Sequence, residues 1–293
     1  MSKYRNLRNG ILFISPWIIG FLAFVLYPVS KSLYYSFTSY NMLSAPQFIG
    51  FGNYTALLHD QSFWIAMADT GYMIVIGLSF VTVAALSLAL LLNNTKLKGV
   101  SVARVLIFIP LLVPVVVLSI LWIWIFQPGQ GVIDGLLHLA FGISGPAWLA
   151  SPYWTKPAFI LMSVWGSGNM VLIYLAGLQD ISPSLYEAAS LDGASSWKKI
   201  RYITLPLLRP VILFNIITGM IGMFQFFAQA YIMTDGGPAQ SSLFYSLYLY
   251  LNAFSYFKMG YASAMAWILL LIALALTILI LKLGRGFTSE ASD

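Results

Sequence analysis

The sequence predicts an all-α, polytopic membrane protein with six transmembrane helices. Three observations carry that reading. Hydrophobic residues make up 60% of the 293 positions and charged residues only 8%. Six apolar stretches are each long enough to cross a bilayer. The basic residues fall mostly in alternate connections between those stretches.

A soluble domain carries about 25% charged residues. With 8% and a mean hydropathy of +0.85, this chain cannot clothe itself in a water-facing surface, so most of its outside faces lipid. The net charge of +6 is spread over short segments between apolar runs, which assigns it to a membrane surface and not to nucleic acid. The absence of cysteine excludes disulfides, zinc–thiolate sites and thiol catalysis. The basic start, Met1–Asn9, precedes a long apolar run without a small-residue cleavage site and reads as leading into a retained first helix.

A spanning helix needs about 20 mostly apolar residues for a hydrocarbon core about 30 Å thick. Six windows qualify: residues 10–30, 70–94, 105–127, 157–178, 210–233 and 260–282, within one transmembrane domain covering residues 1–293. Two further charge-poor stretches fail on chemistry. Ser32–His59 contains Asn41, Pro46, Gln47, Gly50, Gly52 and Asn53, a turn-rich run that cannot satisfy its own backbone in lipid. Gly135–Thr155 is broken by Gly142, Gly145, Pro146 and Pro152, and its apolar part, Leu136–Phe141, suits a short amphipathic helix lying on the membrane surface.

Six spans put alternate connections on opposite sides, and the excess of Lys and Arg marks the cytoplasmic side. With the N-terminus inside, that side holds Lys3, Arg5, Arg8, Lys96, Lys98, Arg104, Lys198, Lys199, Arg201, Arg209, Lys282 and Arg285. The outside holds Lys31, Lys156 and Lys258. Both termini are therefore expected in the cytoplasm. No Asp, Glu, Lys, Arg or His lies in the interior of a window, which speaks against proton-driven transport and intramembrane charge movement. The windows show neither internal repeats nor interruptions of the kind that secondary transporters carry. A polytopic membrane enzyme would need clustered Asp, Glu, His or an activated Ser, and no such cluster is present. A channel or secondary transporter for a neutral solute is the alternative reading.

Residues 180–208 form the longest cytoplasmic connection. Ser182-Pro183 suits a helix start. Leu185, Ala188, Ala189 and Leu191 then give a short apolar face. Gly193 suits a helix stop and sharp turn. A second helical piece follows from Ser195 through Trp197, Ile200, Tyr202 and Ile203, and Leu205-Pro206 is expected to break it before the fifth span. Chemistry alone leaves two readings: a helical elbow that fits a groove on another protein, or a compact link between spans. Trp122 and Trp124 read as interfacial anchors, and the tyrosines around Tyr245, Tyr248, Tyr250 and Tyr256 as side chains at headgroup level. His59 and His138 are isolated, without partners for a metal site.

The elbow carries Glu187-Ala188-Ala189, then Gly193, then Ile203-x-Leu205-Pro206. This spacing resembles the EAA signature of binding-protein-dependent ABC importer permeases. Asn53-Tyr54, Trp148-Leu149, Leu175–Gln179 and Thr234-Asp-Gly-Gly-Pro238 are similar to segments of the carbohydrate-uptake branch, in particular the larger maltose-type, or first, sugar permease. The tail lacks the Gly-Ala-Val-Lys-Gly ending of the usual second permease. The resemblance implies a type I importer permease fold and a bacterial cytoplasmic (inner) membrane location. It implies a heterodimer with a second permease, two ATPase subunits, and an extracytoplasmic solute-binding protein. The lipid bilayer completes the set, and nucleic acid is not expected. By the same resemblance, Glu187, Ala188, Ala189, Asp192, Gly193, Ile203, Leu205 and Pro206 form the loop that couples to the ATPase.

No Gly-Lys pair occurs in the chain, so it lacks a phosphate-cradling Walker A loop. ATP and Mg belong on the partner ATPase subunits, no cofactor is expected on this chain, and it is not expected to be an enzyme by itself. Aligned to the maltose-type permease, Trp165, Gly166, Asn169, Gly219, Met223 and Phe226 match sugar-contact positions. Gln225 joins them as an amide at depth, and with Asn169 it is favoured because a buried amide left unpaired costs about 1–3 kcal/mol.

Overall fold

The computed structural model describes residues 2–94 and 98–286, with side chains for 10–94 and 98–284. The side chains of Lys3, Arg5, Arg8, Lys96 and Arg285, and the tail from Phe287, lie outside the described residues. Apart from one two-stranded pairing, the described secondary structure is helical. Four helices are long and apolar enough to cross a bilayer, and two bent pairs bring the number to six.

The spans depart from the hydropathy windows in instructive ways. The first runs Gly10–Ser36 and the second Gln61–Leu92, so the second begins nine residues before its window and includes Asp69. The third is not continuous: Val100–Leu112 and Val115–Ile125 meet at 112°. Pro114 lacks a donor and pushes its predecessor out of the helical region, leaving Val113 extended at ψ 125°. The fourth is Thr155–Trp165 plus Gly168–Gln179, bent by 45°. The fifth runs Ser196–Phe224, where the window places it at 210–233, and Ala228–Met233 is a separate short helix. The sixth is Met259–Gly284. The spans expected to be uninterrupted thus include two broken ones.

The expected break at Leu205-Pro206 does not occur, for a local reason. Ile200–Thr204 is a π-turn, and Leu205 N–H donates to the Ile200 carbonyl five residues back. The wider turn shifts the ladder just ahead of Pro206, so the missing N–H of the proline falls where the bonding has already changed step. The first span uses the same device. Leu22–Leu26 is a π-turn, Tyr27 N–H donates to Leu22, and Pro28 follows.

The described chain divides into two compact units, one formed by residues up to Asp60 with Leu249–Leu271, the other by Gln61–Tyr248 with residues from Ile272 onward. In the first, β1 (Thr38–Ser39) pairs antiparallel with β2 (Gln47–Phe48). Asn53 holds this hairpin: its Nδ2 donates to the Ser36 and Thr38 carbonyls, both at 2.9 Å. Tyr54 donates to the Ser36 hydroxyl at 2.8 Å. Gly260 lies so close that a Cβ there would sit 2.0 Å from the Thr38 carbonyl oxygen. The Asn53-Tyr54 pair is therefore a local staple.

In the second unit the core joins the second, fourth and fifth spans. Ala85 and Ala89 are fully buried against Val171, Tyr174, Leu175, Leu178 and Leu208. Small residues four apart let helix backbones approach closely, which is how helices associate where lipid is as apolar as the side chains. Gly177 serves the same contact, since a Cβ there would come within 2.9 Å of Leu208 and Val211. Asp69, 6% exposed, pairs with Lys156 at 2.6 Å, and the Lys156 ammonium also lies 5.5 Å from the Tyr72 ring centroid. The window reading placed both charges outside the spans; instead a carboxylate is buried within the second. Tyr245 is also buried, edge-on to Phe63 at 5.7 Å, so it does not face the headgroups as the sequence reading expects.

The short helix expected at Leu136–Phe141 spans Val132–Phe141. Its Asp134 accepts from the Gly129 N–H at 2.7 Å and the Trp148 indole N–H at 3.1 Å. These donors hold the carboxyl below its ordinary value of 3.8. A depressed folded-state pKa gives stability that is complete above the unfolded value and is lost as pH falls through the folded one. Protease sensitivity of the 128–148 loop is therefore expected to stay flat from neutral pH down to about 4 and to rise only below that. Asp134→Asn should show the raised sensitivity already at neutral pH.

Candidate functional site

The elbow is built by three local signals. Ser182 precedes the helix Pro183–Leu191, with Pro183 at its first position. At its end, Gly193 adopts φ +73°. Ala194 N–H donates to the Ala189 carbonyl at 2.9 Å, and Gly193 N–H to Ser190 at 3.1 Å. This bond pair closes a helix through a left-handed residue, the conformation glycine takes without penalty. Ser195 then caps the next helical piece, its hydroxyl accepting from Lys198 N–H. The two limbs are tied by Lys199 Nζ donating to Ser190 Oγ at 2.6 Å and by a Tyr186–Thr204 hydroxyl bond of 2.9 Å.

No residue of Pro183–Leu191 is buried. Glu187, Ala188, Asp192 and Gly193 are exposed and Ala189 is half-buried. Leu191 is 91% exposed. Ile203, Leu205 and Pro206 are half-buried, and Ile203 packs on the core. The signature thus divides into an outward part, Glu187–Gly193, and an inward part that roots the elbow in the fifth span. The apolar face read from the sequence exists, and among the described residues nothing buries it.

A cavity of about 260 Å³ lies between the third, fourth and fifth spans. Trp165, Gly166, Gly219, Met223 and Phe226 all line it, so five of the seven residues named from the sequence meet there. Asn169 and Gln225 do not line it, and both are exposed; the burial argument that favours them does not hold. Gln225 is the cap residue beyond the end of the fifth helix. In the fifth span it is Asn215 that is buried, its Nδ2 donating to the Met170 carbonyl at 3.5 Å.

The cavity also takes Trp122, Ser163 and Gln229. Trp122 is buried, not an interfacial anchor, and stands edge-on to Trp165 at 5.7 Å. Its indole N–H has no hydrogen-bond partner among the described residues. The Pro114 bend, eight residues earlier, is the signal that could have found it, because a kinked span does not keep the lipid-facing register of a straight one. Trp124 is 66% exposed, as an anchor requires. His59 and His138 are exposed, and no metal-ligating group of three or more His, Asp or Glu forms among the described residues. Gly166 has room for a side chain, its nearest neighbour being the Met162 carbonyl at 3.5 Å from a Cβ. Gly166→Phe is therefore expected to fill the cavity without unfolding the span and to lower solute uptake at least about tenfold, the loss of about 1.4 kcal/mol. Uptake normalised to subunit abundance checks this.

The protein-family model described as binding-protein-dependent transport system inner membrane component matches residues 82–288. A probable ABC transporter permease of Bacillus subtilis, YesP, is 40% identical over 96% of this chain and 93% of its own length. The lactose transport system permease LacF of Rhizobium radiobacter is 38% identical over 95% and 94%. The trehalose/maltose transport system permease MalF of Thermococcus litoralis is 33% identical over 97% and 96%. A solved bacterial ABC transporter involved in alginate import shares the fold, with a TM-score of 0.83 over 97% of this chain and 99% of its own, at 23% identity. With six spans, an elbow bearing Glu187-Ala-Ala and Gly193, and end-to-end similarity to such permeases, the chain belongs to the family of binding-protein-dependent transport system inner membrane components.

Proposed function

We propose that this chain is the first permease subunit of an ATP-driven importer for a sugar or oligosaccharide. It works beside a second permease, two ATPase subunits and an extracytoplasmic solute-binding protein, in the bacterial cytoplasmic membrane with both termini inside. The observation that carries the reading is the elbow, residues 180–208. It is a helix with no buried residue, a glycine-locked turn, and two bonds that bind it to the foot of the fifth span. Such a part is rigid, exposed and apolar on its outer side, and it transmits a push. The sugar assignment is supported by relatives named for lactose and for trehalose/maltose transport. It is also supported by a cavity whose Trp122 and Trp165 offer aromatic faces, with Ser163 and Gln229 as polar groups.

In this mechanism the chain contributes motion and a passage, and the energy comes from nucleotide bound elsewhere. Force on Glu187–Gly193 passes through Tyr186–Thr204 and Lys199–Ser190 into the fifth span, which lines the cavity through Gly219 and Met223. Solute and nucleotide shift the balance only by binding one state better than the other.

The cysteine-free sequence makes the test direct. Leu191→Cys, in membranes holding the whole importer, is expected to cross-link to an ATPase subunit carrying single cysteines across its surface. Absence of any such adduct, with the subunit present at normal levels, removes the coupling role. The alternative of a secondary transporter draws on the broken spans and on Asp69. It requires uptake to collapse with the proton gradient while ATP is held constant. The importer reading requires the reverse.

A further inference from the structure

The fifth span is longer than a bilayer needs. Ser196–Phe224 has 29 residues, roughly 43 Å at about 1.5 Å per residue, against a hydrocarbon core about 30 Å thick. About nine residues therefore stand outside the hydrocarbon. Composition says which ones. Ser196–Thr204 holds Trp197, Lys198, Lys199, Arg201 and Tyr202, whereas Leu205–Phe224 holds one charge, Arg209, a turn from its start.

The side chains are arranged for a ligand from outside the chain. Thr204 and Leu208 are buried, so the helix turns one side to its own bundle. Trp197 is 67% exposed and Tyr202 70%, and Lys198 and Arg201 are exposed beside them. Neither cation forms an ion pair among the described residues, and the Arg201 guanidinium lies 5.9 Å from the Tyr202 ring centroid. Uncompensated cations flanked by amphipathic aromatics, at the calculated depth of the headgroup layer, are complementary to a negative headgroup with its glycerol and upper acyl carbons.

We propose that Lys198 and Arg201, flanked by Trp197 and Tyr202, bind the headgroup of an anionic phospholipid in the leaflet next to the elbow. The lipid holds the foot of the fifth span at a fixed depth. Because Lys199 and Thr204 in that foot are bonded to Ser190 and Tyr186 in the elbow, it also fixes where the elbow stands. This last consequence rests on the coupling role proposed above; the binding does not.

Binding is tested with the full chain by native mass spectrometry against phosphatidylglycerol and phosphatidylcholine. Wild type is expected to retain phosphatidylglycerol selectively. Lys198→Gln with Arg201→Gln should weaken retention by roughly 25-fold, about fivefold for each cation near a charged surface. Arg201→Lys, which keeps the charge, should lose little and thereby shows that the fold is intact. Equal retention in the double variant overturns the proposal, as does displacement of the lipid by millimolar glycerol phosphate, which would mark a site for a soluble phosphate. A photo-cross-linker at position 202 in whole cells is expected to yield lipid adducts. Adducts exclusively with an ATPase subunit would mean that a protein covers this face, and would also overturn it. Leu191→Cys cross-linking in the double variant keeps the two readings apart: loss of the lipid with the ATPase adduct intact sinks neither the importer nor its coupling elbow.

Discussion

Gly193→Trp is expected to abolish uptake, by twentyfold or more, while the subunit remains in the membrane at wild-type abundance. Two effects add. Gly193 sits at φ +73°, where any residue with a Cβ costs about 1–2 kcal/mol. A Cβ at this position meets nothing within 4 Å, so the indole would project from the elbow into whatever docks there. Gly193→Ala separates the contributions, because it carries the backbone cost without the bulk. It should reduce uptake only several-fold. Uptake of labelled solute normalised to membrane-inserted subunit is the measurement. Normal uptake in the tryptophan variant would show that nothing docks at this turn.

Lys156→Met is expected to destabilise the subunit by about 3–5 kcal/mol, because it strands a buried carboxylate. Asp69 is the less accessible partner, 8% exposed at its side chain against 23% for Lys156, and its Oδ2 has no hydrogen bond among the described residues. Asp69→Asn should therefore cost less, since Lys156 keeps some solvent and the face of Tyr72. The double variant Asp69→Asn with Lys156→Met should recover most of the loss, as buried pairs replaced together often do. Thermal melting of the detergent-solubilised protein ranks the three. A double variant no better than Lys156→Met alone would show that the pair is not the source of the cost.

What the sequence made legible is local. Ser182-Pro183, Gly193 and Ser195 act within one or two turns, so residue chemistry predicted the elbow's first helix, its turn and the second helical start, though not the continuous helix through Leu205-Pro206. The existence of six spans was also legible, because apolar length is a local count. What escaped depends on partners far along the chain. Asp69 lies inside a span because Lys156, 87 positions later, meets it. Hydropathy windows end at the first charge and cannot see such compensation. The bends escaped because Val113-Pro114 and Gly166-Ser167 leave the apolar runs unbroken in composition while resetting the direction of the helix. Every residue beyond a bend is rotated from where a straight helix would place it. That is why Trp122 turns inward while Asn169 lies outside the cavity, whereas Gln225 lies outside it because the fifth helix ends just before it. The glycine and aromatic positions at the cavity, Gly166, Gly219, Met223 and Phe226, were found by resemblance, not by periodicity.

The 45° bend between Thr155–Trp165 and Gly168–Gln179 has one more consequence. Across it Gly166 N–H still bonds to the Met162 carbonyl and Val171 N–H to Ser167, so the helix changes direction at small cost in main-chain bonds and brings Trp165 and Gly166 to the wall of the cavity. A change that straightened this bend would therefore reshape the chamber without replacing any side chain that lines it.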